Sequence, residues 1–485
     1  MRKPSFSISI IPVLTLMVVI FIGVSIFGED ITAGPSQIAL LLATVLGALI
    51  AISHLKIPWQ KLEDGMLDHL SKTGSAIFIL LLIGALTGSW MISGVVPTII
   101  YYGLKIIHPS IFLLVTFLLC GVVSVTAGSS WTTVGTIGVA MLSAGQILGI
   151  PSPWLAGAII SGAYFGDKMS PLSDTTNLSA SVAEVDLYTH IKYMSITMIP
   201  ALILTCIFFG VAGFILPVSS SLDVEQQLAA ITSTFNISPI LFIVPIFTAV
   251  LIVKKVSPFI TLFLSALFGA VVACIAQPQV CAQICSESEG FLRYFTASIQ
   301  MLSGSVSIET GDTMLNTLTA TKGMAGMLNT VWLILCVVTF GGVMDASGMI
   351  QAITQKMVGL MRNTVSLVST TIGTTIFFNL TLSDQFMAIL LPGKMFADTY
   401  KKMGYKPELL SRSLQDSATV TSVLVPWNTC GVVQSSVLHV STLTYLPYCF
   451  FNLVTPIISI IVAAIGYKIR RLGKDDNIEQ IKSEE

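Results

Sequence analysis

The sequence predicts an all-α polytopic membrane protein made of two inverted-topology repeats with broken helices and re-entrant hairpins. Three observations predict it. Hydrophobic residues fill 54% of the 485 positions and charged residues only 10%, against about 25% charge in a soluble domain. Apolar runs long enough for a bilayer core of ~30 Å recur along the whole chain. Landmarks in the first half return 254 residues later. A formal net charge of -1 gives no electrostatic footprint for nucleic acid.

Residues 1–30 hold a basic start, Arg2 and Lys3, then an apolar run from Ser7 to Phe27 without a small-residue cleavage site. This pattern predicts a first transmembrane helix, not a removed signal. Repeat 1 is expected over 31–217, with spans 36–54, 75–94 and 190–216, a stretch 110–148 whose polar centre is TAGSSWTT, and a broken helix 153–185. A linking segment and helix follow over 218–257. Repeat 2 is expected over 258–467, with spans 258–276, 327–347 and 440–467, a stretch 364–400 centred on FFNLTLSDQF, and a broken helix 407–435. Residues 468–485 form a tail. Each of the stretches 110–148 and 364–400 reads as a re-entrant hairpin or a pair of helices.

Lys and Arg set the orientation. Arg2 and Lys3, the 54–72 loop, Lys254 and Lys255, KKMGYK (401–406) and KIRRLGK (468–474) point to the cytoplasm; the lysine-free loop 217–237 and the loop 277–320, with Arg293 its one arginine, point outside. Both termini are then cytoplasmic, and 36–54 and 258–276 run in opposite directions. At the 254-residue shift Gly88 and Gly94 fall on Gly342 and Gly348, Pro153 on Pro407, Ser129–Ser130 on Ser383–Asp384, and Asp174–Thr175 on Asn428–Thr429. Inverted repeats with paired broken helices place a transport site where the repeats meet.

Residues 161–193 carry the strongest local signal. They hold Asp167, Lys168, Asp174, Glu184 and Asp186 among apolar runs, although one ionisable side chain at the bilayer centre costs roughly 2.5–3.5 kcal/mol. Pro171 removes a backbone donor and breaks the helix. Carboxylates, hydroxyls, amides and freed carbonyls are hard oxygen ligands suited to sodium. Carboxylates brought together out of water also retain protons more strongly. Competition of the two ions for one carboxylate is the simplest route to antiport. The candidate ion- and proton-binding residues are Asp384, Asp167, Asp174, Asp416, Ser383, Thr175, Asn177, Asn428 and Asn379, with Asp384, Asp174 and Asn428 as the sodium ligands. Asp384 leads because it lies mid-hairpin without a basic neighbour.

Bland readings stand beside these. Asp167 and Lys168 suit an interfacial ion pair, Asp174 a helix cap, and Arg412 and Asp416 a structural pair one turn apart. Glu184, Asp186 and His190 read as solvated, and Asp345 as a helix end. Of eight cysteines, Cys281 and Cys285 lie in a polar loop that permits a disulfide if extracytoplasmic. No HExxH, GxSxG or nucleotide loop occurs, which argues against a membrane enzyme or a cofactor. Paired broken helices argue against a channel.

The stretches SGAYFGDKMSPLSDTTNLSA…VDLYTHIKYM, NLTLSDQFMAILLPGKMF and LSRSLQDSATVTSVLVPWNTCG resemble the NhaC family of bacterial sodium/proton antiporters over roughly 36–467. The resemblance implies a secondary transporter of the cytoplasmic membrane with the inverted-repeat architecture of the ion-transporter superfamily, often a homodimer in the lipid bilayer, moving sodium ions and protons. A branch of that family exchanges malate and protons for lactate and sodium. For such an organic anion, Arg412, Lys168 and Lys394 would supply the positive site.

Overall fold

The computed structural model describes residues 3–216, 221–285, 289–311, 313–359, 361–382 and 384–472. The Ser383 candidate and most of the expected tail, 473–485, lie outside these residues. The first half runs α1 (Phe6–Phe27), α2 (Pro35–Ser53), α3 (Trp59–Ile92), α4 (Val95–Ile106), α5 (Phe112–Ala127), α6 (Ser130–Thr133), α7 (Val139–Ile147), α8 (Ser152–Met169), α9 (Asp174–Val182) and α10 (Leu187–Ile215). Between the halves lies α11 (Ser221–Thr234). The second half begins with α12 (Ile243–Val253) and α13 (Pro258–Ala276), followed by α14 (Pro278–Ile284), α15 (Gly290–Ser303) and α16 (Thr313–Thr319). It continues with α17 (Leu328–Ala346), α18 (Met349–Val358), α19 (Thr364–Thr381), α20 (Gln385–Lys402), α21 (Pro407–Leu414), α22 (Val420–Ser422), α23 (Thr429–Leu438), α24 (Thr442–Tyr445) and α25 (Phe450–Ile465). Two π-turns interrupt this series, Val134–Gly138 between α6 and α7 and Gln415–Thr419 between α21 and α22.

Reciprocal contacts reveal the repeat. α1 packs on α2 as α12 packs on α13, and α2 packs on α17 as α13 packs on α3. α8 meets α25 as α21 meets α10, and α9 meets α20 as α23 meets the first π-turn and α7. α3 with α17, and α10 with α25, face each other directly. Gly94 and Gly348, at φ 80° and 74°, cap α4 and α18 in the left-handed region that favours glycine. α1 against α2 and α12 against α13 occupy matching places. The 254-residue shift holds from α3 and α17 onward but not for α2 and α13, because α14–α16 are inserted in the second half.

Length and apolarity alone qualify seven helices as membrane spans among the described residues, or nine if two bent pairs each count once. The broken pairs α8–α9 and α21–α23 are not among them. The stretch Pro109–Ala127 passes it, yet the chain turns back at Gly128 (φ 64°), so α5 and α6–α7 form a hairpin. α19 and α20 form the second hairpin. α3 has 34 residues, about 51 Å at 1.5 Å per residue, so its charged first turns project from the bilayer. Exposed apolar side chains such as Phe21, Phe214 and Ile275 cover the perimeter, as a lipid solvent requires.

Cys281 and Cys285 are buried free thiols in the inserted segment. Glu184 and Asp186 are exposed, as expected, and Asp186 caps α10 by accepting from the Thr189 N–H at 2.9 Å. His190 departs from its expected solvated place: it is fully buried, with Nδ1 2.8 Å from Ser411 Oγ. The cause is that α10 lays its His190–Tyr193–Thr197 face on α21 and its π-turn.

The first hairpin docks on α8 through small residues. A Cβ on Gly166 would meet Ser124 Cβ at 2.6 Å and the Val125 nitrogen at 2.8 Å. Gly162 and Gly166, four apart, let the two backbones touch. Gly166→Val is expected to cost about 1–3 kcal/mol through overpacking, read as a lower melting temperature in detergent, while Gly210→Val, whose Cβ would meet nothing, leaves melting unchanged.

Candidate functional site

Inside a bilayer every freed backbone group needs a partner from the protein, so each break is built by the side chains that satisfy it. At the first break, Ser170–Ser173, Thr176 Oγ1 donates to the Lys168 carbonyl at 3.2 Å and lies 3.4 Å from the Asp167 carbonyl. Asn177 Nδ2 donates to the Pro171 and Ser173 carbonyls at 3.0 and 2.8 Å. The Ser173 hydroxyl caps α9 by accepting from the Thr176 N–H. Asn177, proposed from the sequence as an ion ligand, has its amide nitrogen occupied in closing this turn.

The second break, Val423–Asn428, is tied down more completely. Asn379 Nδ2 donates to the Ala418 carbonyl at 2.7 Å and to Thr421 Oγ1 at 3.0 Å. Asn428 Nδ2 donates to the Asn379 carbonyl at 3.1 Å, and Asn428 Oδ1 accepts from the Cys430 N–H at 3.0 Å. Trp427 Nε1 donates to the Leu380 carbonyl, the Tyr445 hydroxyl to the Val423 carbonyl, and Asn452 Nδ2 to the Val420 carbonyl, at 2.8, 2.8 and 2.9 Å. Asn379 and Asn428 thus clamp hairpin two to its broken helix.

The first break instead opens on a cavity of about 260 Å³. Asp167, Ser173, Asp174 and Thr175 line it from the break, Gly128–Thr132 from hairpin one, and Gln385 and Phe386 from the tip of hairpin two. Ser75, Ala76 and Ile79 of α3 and the α12–α13 turn with Lys255 complete the wall. Lys255 is exposed at the mouth, whereas Asp167 is buried. Ser130 Oγ donates to Asp167 Oδ2 at 2.9 Å. Two carboxylates, several hydroxyls and one amide therefore face one ammonium, a donor set suited to a hard cation.

Asp416 is on the other side of α8. Its Oδ1 accepts from Lys168 Nζ at 2.7 Å and from Thr197 Oγ1 at 3.2 Å, and both charged side chains are wholly buried. Sequence spacing suggested pairs of Asp167 with Lys168 and of Arg412 with Asp416. The shorter ion pair, Lys168 with Asp416, joins the two halves, and Arg412 Nε forms the expected but looser pair with Asp416 Oδ2 at 3.9 Å. The π-turn presents Gln415 to the first break, where Nε2 donates to Thr175 Oγ1 at 3.2 Å and Thr176 Oγ1 at 3.1 Å. Ser179 Oγ donates to Gln415 Oε1 at 2.6 Å.

The structure so gathers Asp167, Asp174 and Thr175 in one cavity. Asp384 is a neighbour of that wall, but its Oδ1 caps α20 by accepting from the Met387 N–H at 2.9 Å. Its lack of a basic neighbour holds only along the chain. The three sodium ligands read from the sequence, Asp384, Asp174 and Asn428, sit respectively on a helix cap, a cavity wall and a hairpin clamp; no cluster of three His, Cys, Asp or Glu occurs among the described residues. Asp345, read as a helix end, pairs with His69 Nε2 at 3.2 Å. Sequence reasoning missed Gln385, Gln415 and Thr197. The polar centre 126–133 contained the signal for Ser130; nothing in the local sequence marks a π-turn.

The sequence profile described as the Na+/H+ antiporter family matches residues 162–467. The chain is 34% identical over 444 residues to the Na(+)/H(+) antiporter NhaC of Alkalihalophilus pseudofirmus, covering 92% of each chain. It is 35% identical over 435 residues to the malate-2H(+)/Na(+)-lactate antiporter of Bacillus subtilis, covering 89% of this chain and 90% of that one. Among solved structures it is similar to Neisseria gonorrhoeae MtrF, reported within a class of antimetabolite efflux pumps, at 15% identity and a TM-score of 0.40, covering 93% and 94% of the two chains.

Asn379→Ala is expected to strip the Ala418 carbonyl of its partner and free hairpin two. A buried polar group left unpaired costs about 1–3 kcal/mol. The checking measurement is thermal melting in detergent, where this variant falls below wild type and Asn363→Ala, an exposed helix cap, falls less.

Proposed function

The chain belongs to the Na+/H+ antiporter family, and from that premise we propose that it exchanges sodium for protons across the bacterial cytoplasmic membrane by alternating access. The observation that carries the reading is the buried Asp167 carboxylate at the closed end of a cavity whose exposed mouth lies at the α12–α13 turn. In this mechanism Asp167 is the exchangeable carboxylate, held by Ser130. Asp174, Thr175 and nearby carbonyls complete the shell when sodium occupies it. Asp384 and Asp416 adjust the field around the site, and Asn379, Asn428 and Asn177 hold the breaks. No cofactor enters the cycle.

The halves are unequal in the way alternating access requires. The first break opens to a cavity while its counterpart is clamped by Asn379, Tyr445 and Asn452. In the opposite state the second break would open and the first close. The positive charges of Lys254 and Lys255 support a cytoplasmic open side, with both termini on that side. The family resemblance supports a homodimer, with lipid against the apolar perimeter. A cavity with two carboxylates and one ammonium favours a cation over an organic acid as cargo, which sets the malate/lactate type of exchange second.

The test uses everted vesicles with an acid interior and a pH-sensitive dye. Sodium chloride alone is expected to reverse the quench. A response that needs added malate or lactate would refute the sodium/proton reading in favour of the organic-anion one. Asp167→Asn is expected to lower the sodium response at least ten-fold at normal membrane expression, while Asp186→Asn, outside the cavity, keeps it. Full activity in Asp167→Asn would remove Asp167 from the mechanism.

A further inference from the structure

The buried charges behind α8 are unevenly satisfied. Lys168 and Asp416 are bonded at 2.7 Å with both side chains fully buried. Arg412 is also fully buried, yet Nε, Nη1 and Nη2 have no hydrogen-bond partner among the described residues. Its guanidinium rests over the Tyr193 ring, 4.8 Å from the centroid. Asp416 Oδ2 likewise has no hydrogen-bond partner. Asp416 Oδ2 and the Arg412 guanidinium face each other as a loose ion pair at 3.9 Å, too long for a hydrogen bond.

A buried guanidinium without an acceptor is costly, and a ring face compensates only part of that. A bidentate Arg–carboxylate pair would satisfy both orphans, and about 1 Å of side-chain movement separates this arrangement from it. The two arrangements differ in one respect that matters for motion. Lys168 belongs to α8 of the first half and Asp416 to the π-turn of the second, so their bond ties the halves together. Arg412 stands on α21, one turn before Asp416, so a bond between those two lies wholly within the second half.

We propose that Asp416 alternates between Lys168 and Arg412, and that this change of partner releases the ionic tie between the halves during the exchange cycle. The proposal rests on the exchange reading above and names Arg412 as a positioning residue that touches no ion. The trigger is close by. Lys168 follows Asp167 in the last turn of α8, and Thr176 Oγ1 reaches the carbonyls of both. A cation arriving at Asp167 acts on the turn that holds Lys168 and repels its ammonium. Asp416 is then free to turn to Arg412 without losing its cationic partner. Tyr193, which cradles Arg412, also lies under Arg470, 5.1 Å from the same ring, and Arg470 pairs with Glu408 at 3.0 Å. Arg412 is thereby kept in reserve.

The experiment compares wild type with Arg412→Gln and Arg412→Lys by three readouts: melting in detergent, the sodium-induced rise in melting temperature, and sodium-driven dye response in vesicles. Arg412 makes no hydrogen bond with the described residues in the resting arrangement. Arg412→Gln is therefore expected to melt at or above the wild-type temperature and to keep the sodium-induced rise, while exchange falls at least ten-fold. Arg412→Lys keeps the charge but cannot bind both carboxylate oxygens, and it carries the test if Arg412→Gln does not fold; the same ten-fold loss with sodium binding retained is expected. Exchange reduced less than ten-fold in a folded variant overturns the proposal. Parallel loss of melting, sodium response and exchange also overturns it, in favour of a purely structural arginine. Wild-type vesicles that fail to respond to sodium would refute the exchange reading instead, a different result from an Arg412 variant that matches a responsive wild type.

Discussion

A helix that stops inside a membrane must find new partners for its backbone, and the rest of this structure depends on how that is done twice. Hydrocarbon offers no hydrogen bonds. The chain supplies them from short polar side chains just beyond each break: Thr176 and Asn177 at the first, Asn428 at the second. Each hairpin brings a further share, Ser130 to Asp167 and Asn379 to Ala418. A hairpin and a broken helix are therefore one mechanical unit in each half, because neither has its polar groups satisfied without the other.

The two units share an ancestry of shape but not of chemistry. At the 254-residue shift Ser130 corresponds to Asp384 and Asp167 to Thr421. In the first half the carboxylate is on the broken helix and the hydroxyl on the hairpin; in the second the assignment is reversed. Asp174, on the cavity wall, corresponds to Asn428, in the clamp. An amide can bond to a neighbouring amide and stay closed, whereas a carboxylate in the same position seeks cations. This difference accounts for one break being open and the other tied.

Much of the architecture was legible in the sequence because lipid imposes a coarse code. Pro171 and Pro426 mark the breaks, and TAGSSWTT and FFNLTLSDQF mark the hairpin tips. The repeat itself was legible from α3 and α17 onward; α14–α16 displace α13 relative to α2, so a single shift fails there. The site was legible in composition and less so in arrangement. Asp167, Asp174 and Thr175 lie within nine residues and stay together. Asp416 was drawn to Lys168, 248 residues away, because a π-turn rotates its side chain toward the first half. Spacing rules for a regular helix cannot anticipate that rotation. His190 looked solvated because its neighbours are charged, yet tertiary packing decided its burial.

The inserted segment has a practical consequence for imaging. α14–α16 follow the end of α13, whereas the cavity mouth lies at its beginning, so the insert and the mouth are on opposite faces of the membrane. In projection, two pseudo-equivalent halves are hard to tell apart, and the wrong half is easily traced. A binder raised against the insert would mark one face, fix the handedness of the alignment and leave the ion entrance unobstructed.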